Sequence, residues 1–362
     1  MIDTGTIAPP GVRFLDASDA GDRTEWLERW NEWPGREVSA HPAYVRLFAR
    51  AGDRVICASS RTAGGGILYP VIVRPLAAEP WAGSGERGCD LTNAYGYGGP
   101  YGWGVEEAEA RAFWHSFESW ARSLGAVTSF ARLSPFAEQL IPFPETADRG
   151  LVVSRSLIPS PDEIWNDYDG KVRRNVLKAR REGLEVLFDP RGDRLDEFCA
   201  VYESTMDRRQ ALESYYFPRS FFESILADLA GQFVFAHVLS KGEVVSSDLV
   251  LLSREHAYYF LGGTRAEAYP LRPNDLLKHE VILHCRELGK KQLLLGGGYG
   301  SDDGLLRYKR SFAPTGSRPF RIGLMIHDAP ASDRLVERRR EFEAGEGCAW
   351  SPAEGFFPAY RS

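Results

Sequence analysis

One stretch of sequence decides the fold: FVFAHVLSKGEVVSSDLVLLSREHAYYFLGGT, residues 233–264. β-branched and aromatic residues dominate this stretch, as is typical of strands. Two short polar pairs interrupt it, a Lys-Gly pair at 241–242 and a Ser-Arg pair at 253–254. Since such pairs are typical of turns, the stretch predicts a meander of three strands.

A helix and a further strand follow this meander. The segment NDLLKHEVILHCRELG (274–289) predicts a helix with Asn274 at its N-cap, because asparagine side chains accept hydrogen bonds from the first turn of a helix. The segment KQLLLGGG (291–298) predicts a strand that enters a glycine turn. Strands and helices therefore alternate, which predicts an α/β protein.

The first half of the chain contains elements of the same kinds. Two β-rich runs joined by small residues predict a hairpin over 53–76. A helix with an acidic first turn is predicted over 105–125, and a strand over 127–133. Because the same succession of elements occurs twice, we expect two domains, 1–155 and 156–330. The charged and then aromatic tail, 331–362, is predicted to be an extension that either packs back on the first domain or frays.

Composition and charge exclude several classes of protein. The chain has 362 residues, of which 43% are hydrophobic, and its 44 Lys and Arg against 50 Asp and Glu give a net charge of −6. A protein that coats nucleic acid over its whole surface is normally basic, so this class is excluded. No apolar run approaches the roughly 20 residues of a membrane helix, and no signal peptide is recognised. The five scattered cysteines fit a reducing compartment. Together with the two preceding observations, they lead us to expect a soluble, cytoplasmic protein. We expect it to be a monomer.

A basic segment, GKVRRNVLKARREG (170–183), stands out in this acidic chain. On a helix, its residues Lys171, Arg174, Lys178 and Arg181 share one face. Such a face is most often simply solvated. A one-sided cluster in an acidic protein also suits an anion, namely a phosphate, a pyrophosphate or an RNA backbone.

Other motifs leave their chemistry open. The segment RYKRSF (307–312) alternates charged and aromatic residues, so Lys309 is either an exposed lysine or a cation beside an apolar wall. The glycine-rich segment near 296–304 lacks the P-loop pattern, and no histidine spacing indicates a metal site, so we predict no metal. Asp302 and Asp303 form an acidic pair that either is solvated or binds a metal or an amine, and Asp90, before the aromatic loop, is similarly ambiguous.

Three of these segments together resemble the FemABX family, which are aminoacyl-tRNA-dependent peptidyltransferases. They are GKVRRNVLKARREGLEV (170–186), RAEAYPLRPNDLLKHEVILHCRELGKKQLLLGGG (265–298) and DDGLLRYKRSFAP (302–314). The aromatic loop DLTNAYGYGGP (90–100) adds a weaker resemblance to the first domain of these proteins. The resemblance implies two tandem GNAT-like domains, each a mixed, mostly antiparallel sheet flanked by helices, with the second domain catalytic.

The resemblance also implies roles for particular residues. The lysine that follows an aromatic residue in the family is similar to Lys309 after Tyr308, and it is expected to stabilise the oxyanion of a tetrahedral intermediate. Tyr308 is expected to shape the wall of the site. The resemblance points to Arg173 and Arg174 as residues that hold the phosphates of a nucleotide-linked acceptor. We expect five further substrate-binding residues: Lys178 on phosphates, Asp302 or Asp303 on the attacking amine, and Asp90 and Tyr97 in the aromatic loop.

The resemblance leaves the donor of the acyl group open. A charged tRNA is the implied co-substrate, docked transiently by its acceptor end, with no further cofactor. The acceptor is expected to be an amine of a peptidoglycan precursor or of a small metabolite, free or nucleotide-linked. The alternative is an N-acyltransferase that uses acetyl-CoA or another acyl-CoA. The CoA-type loop Q/R-x-x-G-x-G/A is missing, and RAEAYPLRPND (265–275) occupies its place. A non-catalytic binding protein of the same fold is the third possibility.

Overall fold

A computed structural model describes residues 11–83, 85–298 and 304–362, and these residues form two compact units. Unit 1 comprises the described residues up to Pro34, Ser39–Arg149 and Phe320–Ser362. Unit 2 comprises Gly35–Val38 and Gly150–Pro319. The chain therefore leaves unit 1 at 149 and returns to it at 320, whereas the sequence placed the boundaries at 155 and 330.

Unit 1 is built on a mixed sheet whose pairs are mostly antiparallel. Its strands are β1 (Val12–Asp16), β2 (Arg54–Arg61), β3 (Gly66–Pro75), β4 (Cys89–Thr92), β5 (Tyr101–Trp103), β6 (Ala126–Arg132) and β13 (Ser317–Ile326). Strands β1 to β4 pair antiparallel in order, β4 pairs parallel with β6, and β6 pairs antiparallel with β13. The short strand β5 pairs with β3.

Unit 2 repeats this order of pairing. Its strands are β7 (Thr146–Ser156), β8 (Glu185–Asp189), β9 (Phe233–Ser240), β10 (Glu243–Leu252), β11 (His256–Thr264) and β12 (Gln292–Gly297). Strands β8 to β11 pair antiparallel in order, β11 pairs parallel with β12, and β12 pairs antiparallel with β7. The predicted meander is therefore the centre of this sheet, and the predicted mixed α/β fold class is confirmed.

Helices cover these sheets. Unit 1 carries α1 (Ala20–Glu32), α2 (Pro42–Arg46), α3 (Glu107–Ser123) and α10 (Ala329–Gly345). Unit 2 carries α4 (Pro161–Asp167), α5 (Gly170–Arg181), α6 (Leu195–Arg209), α7 (Arg219–Asp228), α8 (Pro273–Glu287) and α9 (Gly304–Arg310). Among the described residues, no helix has the length and apolar character needed to cross a membrane.

The start of α8 corrects the prediction for Asn274. The helix begins at Pro273, and its N-cap is Arg272 in the left-handed region, with φ 64°. Proline is favoured at the first helical position because its φ already has the helical value and its missing N–H would have no partner there. The proline therefore decides where α8 begins, and Asn274 lies inside its first turn.

The C-terminal end of the chain is tied into unit 1 by a buried carboxylate. Tyr360, which is fully buried, donates its hydroxyl hydrogen to Asp90 Oδ1 at 2.6 Å. Thr128 donates to the same oxygen at 2.8 Å, and Arg361 Nε donates to Asp90 Oδ2 at 2.6 Å. Arg361 also reaches Glu79 at 2.5 Å. A buried carboxylate is tolerated only when it is paired and hydrogen-bonded in this way.

We expect Tyr360→Phe to lower the free energy of unfolding by about 1–3 kcal/mol, because it removes a hydrogen bond to a buried charged group. Urea unfolding of the purified chain measures this loss. The matched control is Tyr216→Phe, since the Tyr216 hydroxyl bonds to Asp207 at the exposed surface. Equal losses in the two variants would contradict the role given to Tyr360.

Candidate active site

Lys309 is held in unit 2 by the end of a central strand. It lies in the last turn of α9, and the residue is only 9% exposed. Its Nζ donates to the carbonyl oxygen of Gly297, the last residue of β12, at 2.6 Å. The strand is bulged between Leu294 and Gly296, and Gly296 has a φ of 84°, a conformation that favours glycine. The bulge therefore shapes the strand end that receives the ammonium group.

The lysine lies where two parallel strands stop pairing. Within the described chain, the parallel pairing of β11 with β12 ends at Tyr258 and Leu294. Strand β11 nevertheless continues to Thr264, and β12 continues to Gly297. Backbone groups on the facing edges of 259–264 and 295–297 are therefore not bound to each other. Such an opening in a sheet offers donors and acceptors to a ligand that lies between the strands.

A second lysine, Lys278, lies close to this place. It projects from α8, is buried, and donates from Nζ to Asp248 Oδ2 on β10 at 2.7 Å. Its Nζ is also 3.4 Å from the centroid of the Tyr259 ring, while Lys309 Nζ is 5.8 Å from the same centroid. We call Asp248, Tyr259, Lys278 and Lys309 the two-lysine cluster. Its aromatic ring is near both cations, an arrangement that stabilises buried positive charge.

Burial acts on both charges of the ion pair. It raises the pKa of Asp248 and lowers the pKa of Lys278, and the contact between the two groups opposes both shifts. Strand β11 has a glycine, Gly262, opposite Asp248. A Cβ at Gly262 would collide with Asp248 Oδ1. A glycine is therefore required at this position of β11.

Tyr308 is a packing residue beside the cluster. Its ring lies edge-on to Phe312, with centroids 5.2 Å apart, and its hydroxyl donates to the carbonyl oxygen of Asn274 at 3.3 Å. Burial raises its pKa well above the usual value, and the nearby Asp275 and Asp248 add to this effect. The hydroxyl therefore stays protonated at neutral pH. This placement suits a residue that shapes the wall beside Lys309.

The basic helix α5 presents its charges as its sequence predicts. Val172, Val176 and Ala179 are buried, whereas Arg174 is exposed and Lys178 is partly exposed. Within the described part of the chain, neither of these two cations has a hydrogen-bond or ion-pair partner for its side chain. Arg173 differs from them: its Nη1 donates to the backbone carbonyls of Asn166 and Tyr168, at 2.9 and 2.5 Å. Arg173 therefore caps the end of α4 in this structure.

The other predicted substrate-binding residues lie elsewhere. Asp302 and Asp303 fall outside the described residues. In unit 1, Asp90 holds the C-terminal end, and the ring of Tyr97 lies edge-on to Phe320, with centroids 5.6 Å apart. Across the described residues, no group of three or more His, Cys, Asp or Glu side chains is arranged to hold a metal ion.

Sequence reasoning missed Asp248, Tyr259 and Lys278. A signal for the ion pair was nevertheless present. Asp248 interrupts the apolar strand VVSSDLVLL, and Lys278 falls on the same helical face as the buried Ile282 and Cys285. Two opposite charges in apolar positions of adjacent elements indicate a buried ion pair, since neither charge is tolerated there alone.

We expect Lys278→Met to lower the free energy of unfolding by about 3–5 kcal/mol, because it leaves Asp248 buried without its counter-ion. The double variant Lys278→Met/Asp248→Leu should recover most of this loss. Chemical denaturation of the two variants and of Lys291→Met measures the difference. Lys291 forms an exposed ion pair with Glu255 at 2.7 Å, so its replacement should cost about 0–1 kcal/mol. A Lys278→Met loss no larger than this would rule out the assigned pair.

Comparisons with known proteins concern the fold of the chain. Residues 168–310, less than half of the chain, match a family model described as an acetyltransferase (GNAT) domain. No curated protein matches the sequence. The crystal structure of FemX is similar with a TM-score of 0.65 and 14% identity, over 86% of this chain and 98% of that chain.

A second solved structure is the C-terminal domain (DUF2156) of a putative lysylphosphatidylglycerol synthetase from Agrobacterium fabrum. It is similar with a TM-score of 0.54 and 17% identity, over 87% of this chain and 96% of that chain. At such identities the likeness concerns the fold, and the fold expected from the FemABX resemblance is confirmed. The chain therefore has the fold of FemX, and its residues 168–310 form a domain of the GNAT type.

Proposed function

We propose that the protein is an acyltransferase that moves an aminoacyl group from a charged tRNA to an amine. The acceptor is an amine of a peptidoglycan precursor or of a small metabolite, and the product is an amide. The amine nitrogen attacks the ester carbonyl, the carbon–oxygen bond to the ribose breaks, and the proton lost by the amine leaves with the ribose hydroxyl. The ester is already activated, so positioning and charge stabilisation suffice.

The observation that carries this proposal is the position of Lys309. A buried ammonium group lies at the end of β12, where the parallel strands stop pairing. A fixed cation in a site of low polarity stabilises the negative charge that develops on the carbonyl oxygen more than water does. Tyr308 and Phe312 give the site an apolar wall, which limits the water around the ester.

The basic face of α5 supports tRNA as the donor. Arg174 and Lys178 lie on a solvent-facing side of unit 2, where phosphates of an acceptor end can reach them. A few such contacts give weak, salt-dependent binding, which suits a substrate that must be released after each turnover. This local charge is compatible with the net charge of −6, because only one end of the RNA has to be bound.

A CoA-dependent N-acyltransferase is the second candidate, and the match of 168–310 to an acetyltransferase model favours it. The start of α8 argues against CoA as the acyl donor. Pro273 lacks an N–H at the first helical position, and Asp275 places a carboxylate in the first turn. A helix N-terminus binds pyrophosphate through free N–H groups and a positive dipole, and both features weaken that attraction.

We expect product with charged tRNA and no product with acetyl-CoA. The purified chain is incubated with a mixture of aminoacyl-tRNAs and candidate amines, with a parallel reaction that contains acetyl-CoA, and new amides are detected by mass. Treatment with ribonuclease before the reaction should abolish product. Acetyl transfer without tRNA would establish the CoA alternative, and no product with either donor would favour the non-catalytic alternative.

With the donor established, Lys309→Ala should lower kcat by about 10²–10³-fold, because it removes the cation that stabilises the oxyanion. KM for the donor should change much less, since the phosphate contacts are elsewhere. The control is Lys291→Ala, which removes an exposed lysine of the same unit. Melting temperatures show whether each variant is folded. An unchanged kcat in folded Lys309→Ala would refute the catalytic assignment.

A further inference from the structure

The ring of Tyr259 lies near both cations of the two-lysine cluster. Lys278 Nζ is 3.4 Å from its centroid, and Lys309 Nζ is 5.8 Å from it. Both distances are within the roughly 6 Å over which an aromatic face attracts a cation. The two lysines project from different helices, α8 and α9, so one ring of β11 links them. The reaction proposed above assigns no role to this ring.

The backbone of β11 is irregular beside the ring. Tyr259 directly follows Tyr258, where the pairing with β12 ends in the described part of the sheet. Opposite Leu249 and Val250 of β10, strand β11 contains one extra residue, Phe260. A bulge of this kind changes the direction of neighbouring side chains, and bulges are common beside active sites. The bulge therefore helps to set where the Tyr259 ring lies relative to the opening between the strands.

The hydroxyl end of Tyr259 packs over Gly262. A Cβ at Gly262 would lie 3.1 Å from the Tyr259 hydroxyl oxygen, and it would collide with Asp248 Oδ1. The hydroxyl group and the carboxylate of the ion pair therefore lie over the same piece of backbone. A larger residue at this position would press on both groups together. The ring and the ion pair thus belong to one packed arrangement.

The ring acts on two buried charges at once. Lys278 is 4% exposed and Lys309 is 9% exposed, so water solvates neither ammonium group well. Asp248 accepts from Lys278 at 2.7 Å, and the carbonyl oxygen of Gly297 accepts from Lys309 at 2.6 Å. The face of an aromatic ring carries partial negative charge, so it stabilises both cations further. The cluster holds two lysines and one carboxylate, which leaves a net positive charge for an oxyanion.

A cation that stabilises an oxyanion must already be in place when the charge develops. The lysine side chain has a long, flexible stem, so holding its ammonium group in one position needs attractive contacts. A displacement of about 1 Å in such a group can lower a rate about 100-fold. The attraction of the Tyr259 ring adds to the hydrogen bond with Gly297 and restricts the ammonium group of Lys309.

We propose that Tyr259 is a positioning residue for the acyl transfer: its ring holds the ammonium group of Lys309 where the oxyanion forms. The ion pair of Lys278 with Asp248 holds the ring in turn. This inference rests on the proposed function and adds to it a residue that acts through Lys309. The role belongs to the ring, so phenylalanine should replace the tyrosine and an aliphatic residue should not.

Transfer kinetics test this role, with the aminoacyl-tRNA mixture and the amine that give an amide in the mass assay. Tyr259→Leu should lower kcat about tenfold and change KM for the donor less than about threefold. Tyr259→Phe keeps the ring, so its kcat should stay within about threefold of the wild-type value. In the Lys309→Ala background, Tyr259→Leu should change kcat less than about twofold, because no cation is left to position.

A second measurement needs no turnover. The chain has seven lysines, so NMR of protein labelled with ¹³C at lysine Cε gives few signals, and Lys309→Ala identifies that of Lys309. The ring should shift the signals of Lys278 and, less strongly, of Lys309. Tyr259→Phe should keep these shifts and Tyr259→Leu should lose them.

Phe188→Leu is the matched control. It removes a partly buried ring of unit 2 that stacks on His284, with centroids 3.8 Å apart. This variant should leave kcat and both lysine signals unchanged, and melting curves verify that every variant is folded.

The possible failures can be distinguished. No product from the wild-type protein with any donor would refute the proposed function, and with it a role in acyl transfer. Lysine signals that are the same in Tyr259→Leu and the wild type would refute the position of the ring. Equal kcat in Tyr259→Leu and Tyr259→Phe, or an equal loss from Tyr259→Leu with and without Lys309, would overturn the positioning role.

Discussion

The buried ion pair between Lys278 and Asp248 is the interaction on which the arrangement of unit 2 depends. Each charge would be very unfavourable alone in an apolar core, so the pair forces α8 and β10 to meet at one point. The same lysine lies against the face of Tyr259, so the pair also fixes this ring of β11. The ring in turn lies near Lys309. The ion pair therefore positions the surroundings of the proposed catalytic cation, although neither of its members is assigned to the reaction.

Much of the fold could be predicted from the sequence because local pattern and tertiary structure agree there. The meander at 233–264, the helix predicted over 105–125 and the basic face of α5 follow from periodicity and turn residues. Strands β7 and β13 were missed for a physical reason. Strand β7 begins in the first half of the sequence but pairs with β12 of the second half. Strand β13 lies in the second half but pairs with β6 of the first half. Such long-range pairing leaves no local signal.

The site was predictable in part. Lys309 was singled out because the resemblance supplied a role for it, and the structure adds its burial and its bond to Gly297. The phosphate-binding role of Arg173 stays a prediction, and the sequence does not show that its guanidinium reaches back to the end of α4. To predict the ion pair of Lys278 with Asp248, one must know which strand lies beneath α8. Contacts of this kind depend on the packing of distant segments, and a single sequence carries little information about them.

The two units place different groups at the same point of the same sheet pattern. In each, an antiparallel set of strands is followed by one parallel pair, β4 with β6 in unit 1 and β11 with β12 in unit 2. In unit 1, Asp90 and Thr128 on that pair are bound by Tyr360 from the chain's own C-terminal end. In unit 2, the end of β12 is bound by the cation of Lys309. A tyrosine bound to a carboxylate stabilises the fold, whereas a buried lysine at the end of a strand carries a charge that can act on a substrate. This difference is the physical reason for expecting acyl transfer in unit 2.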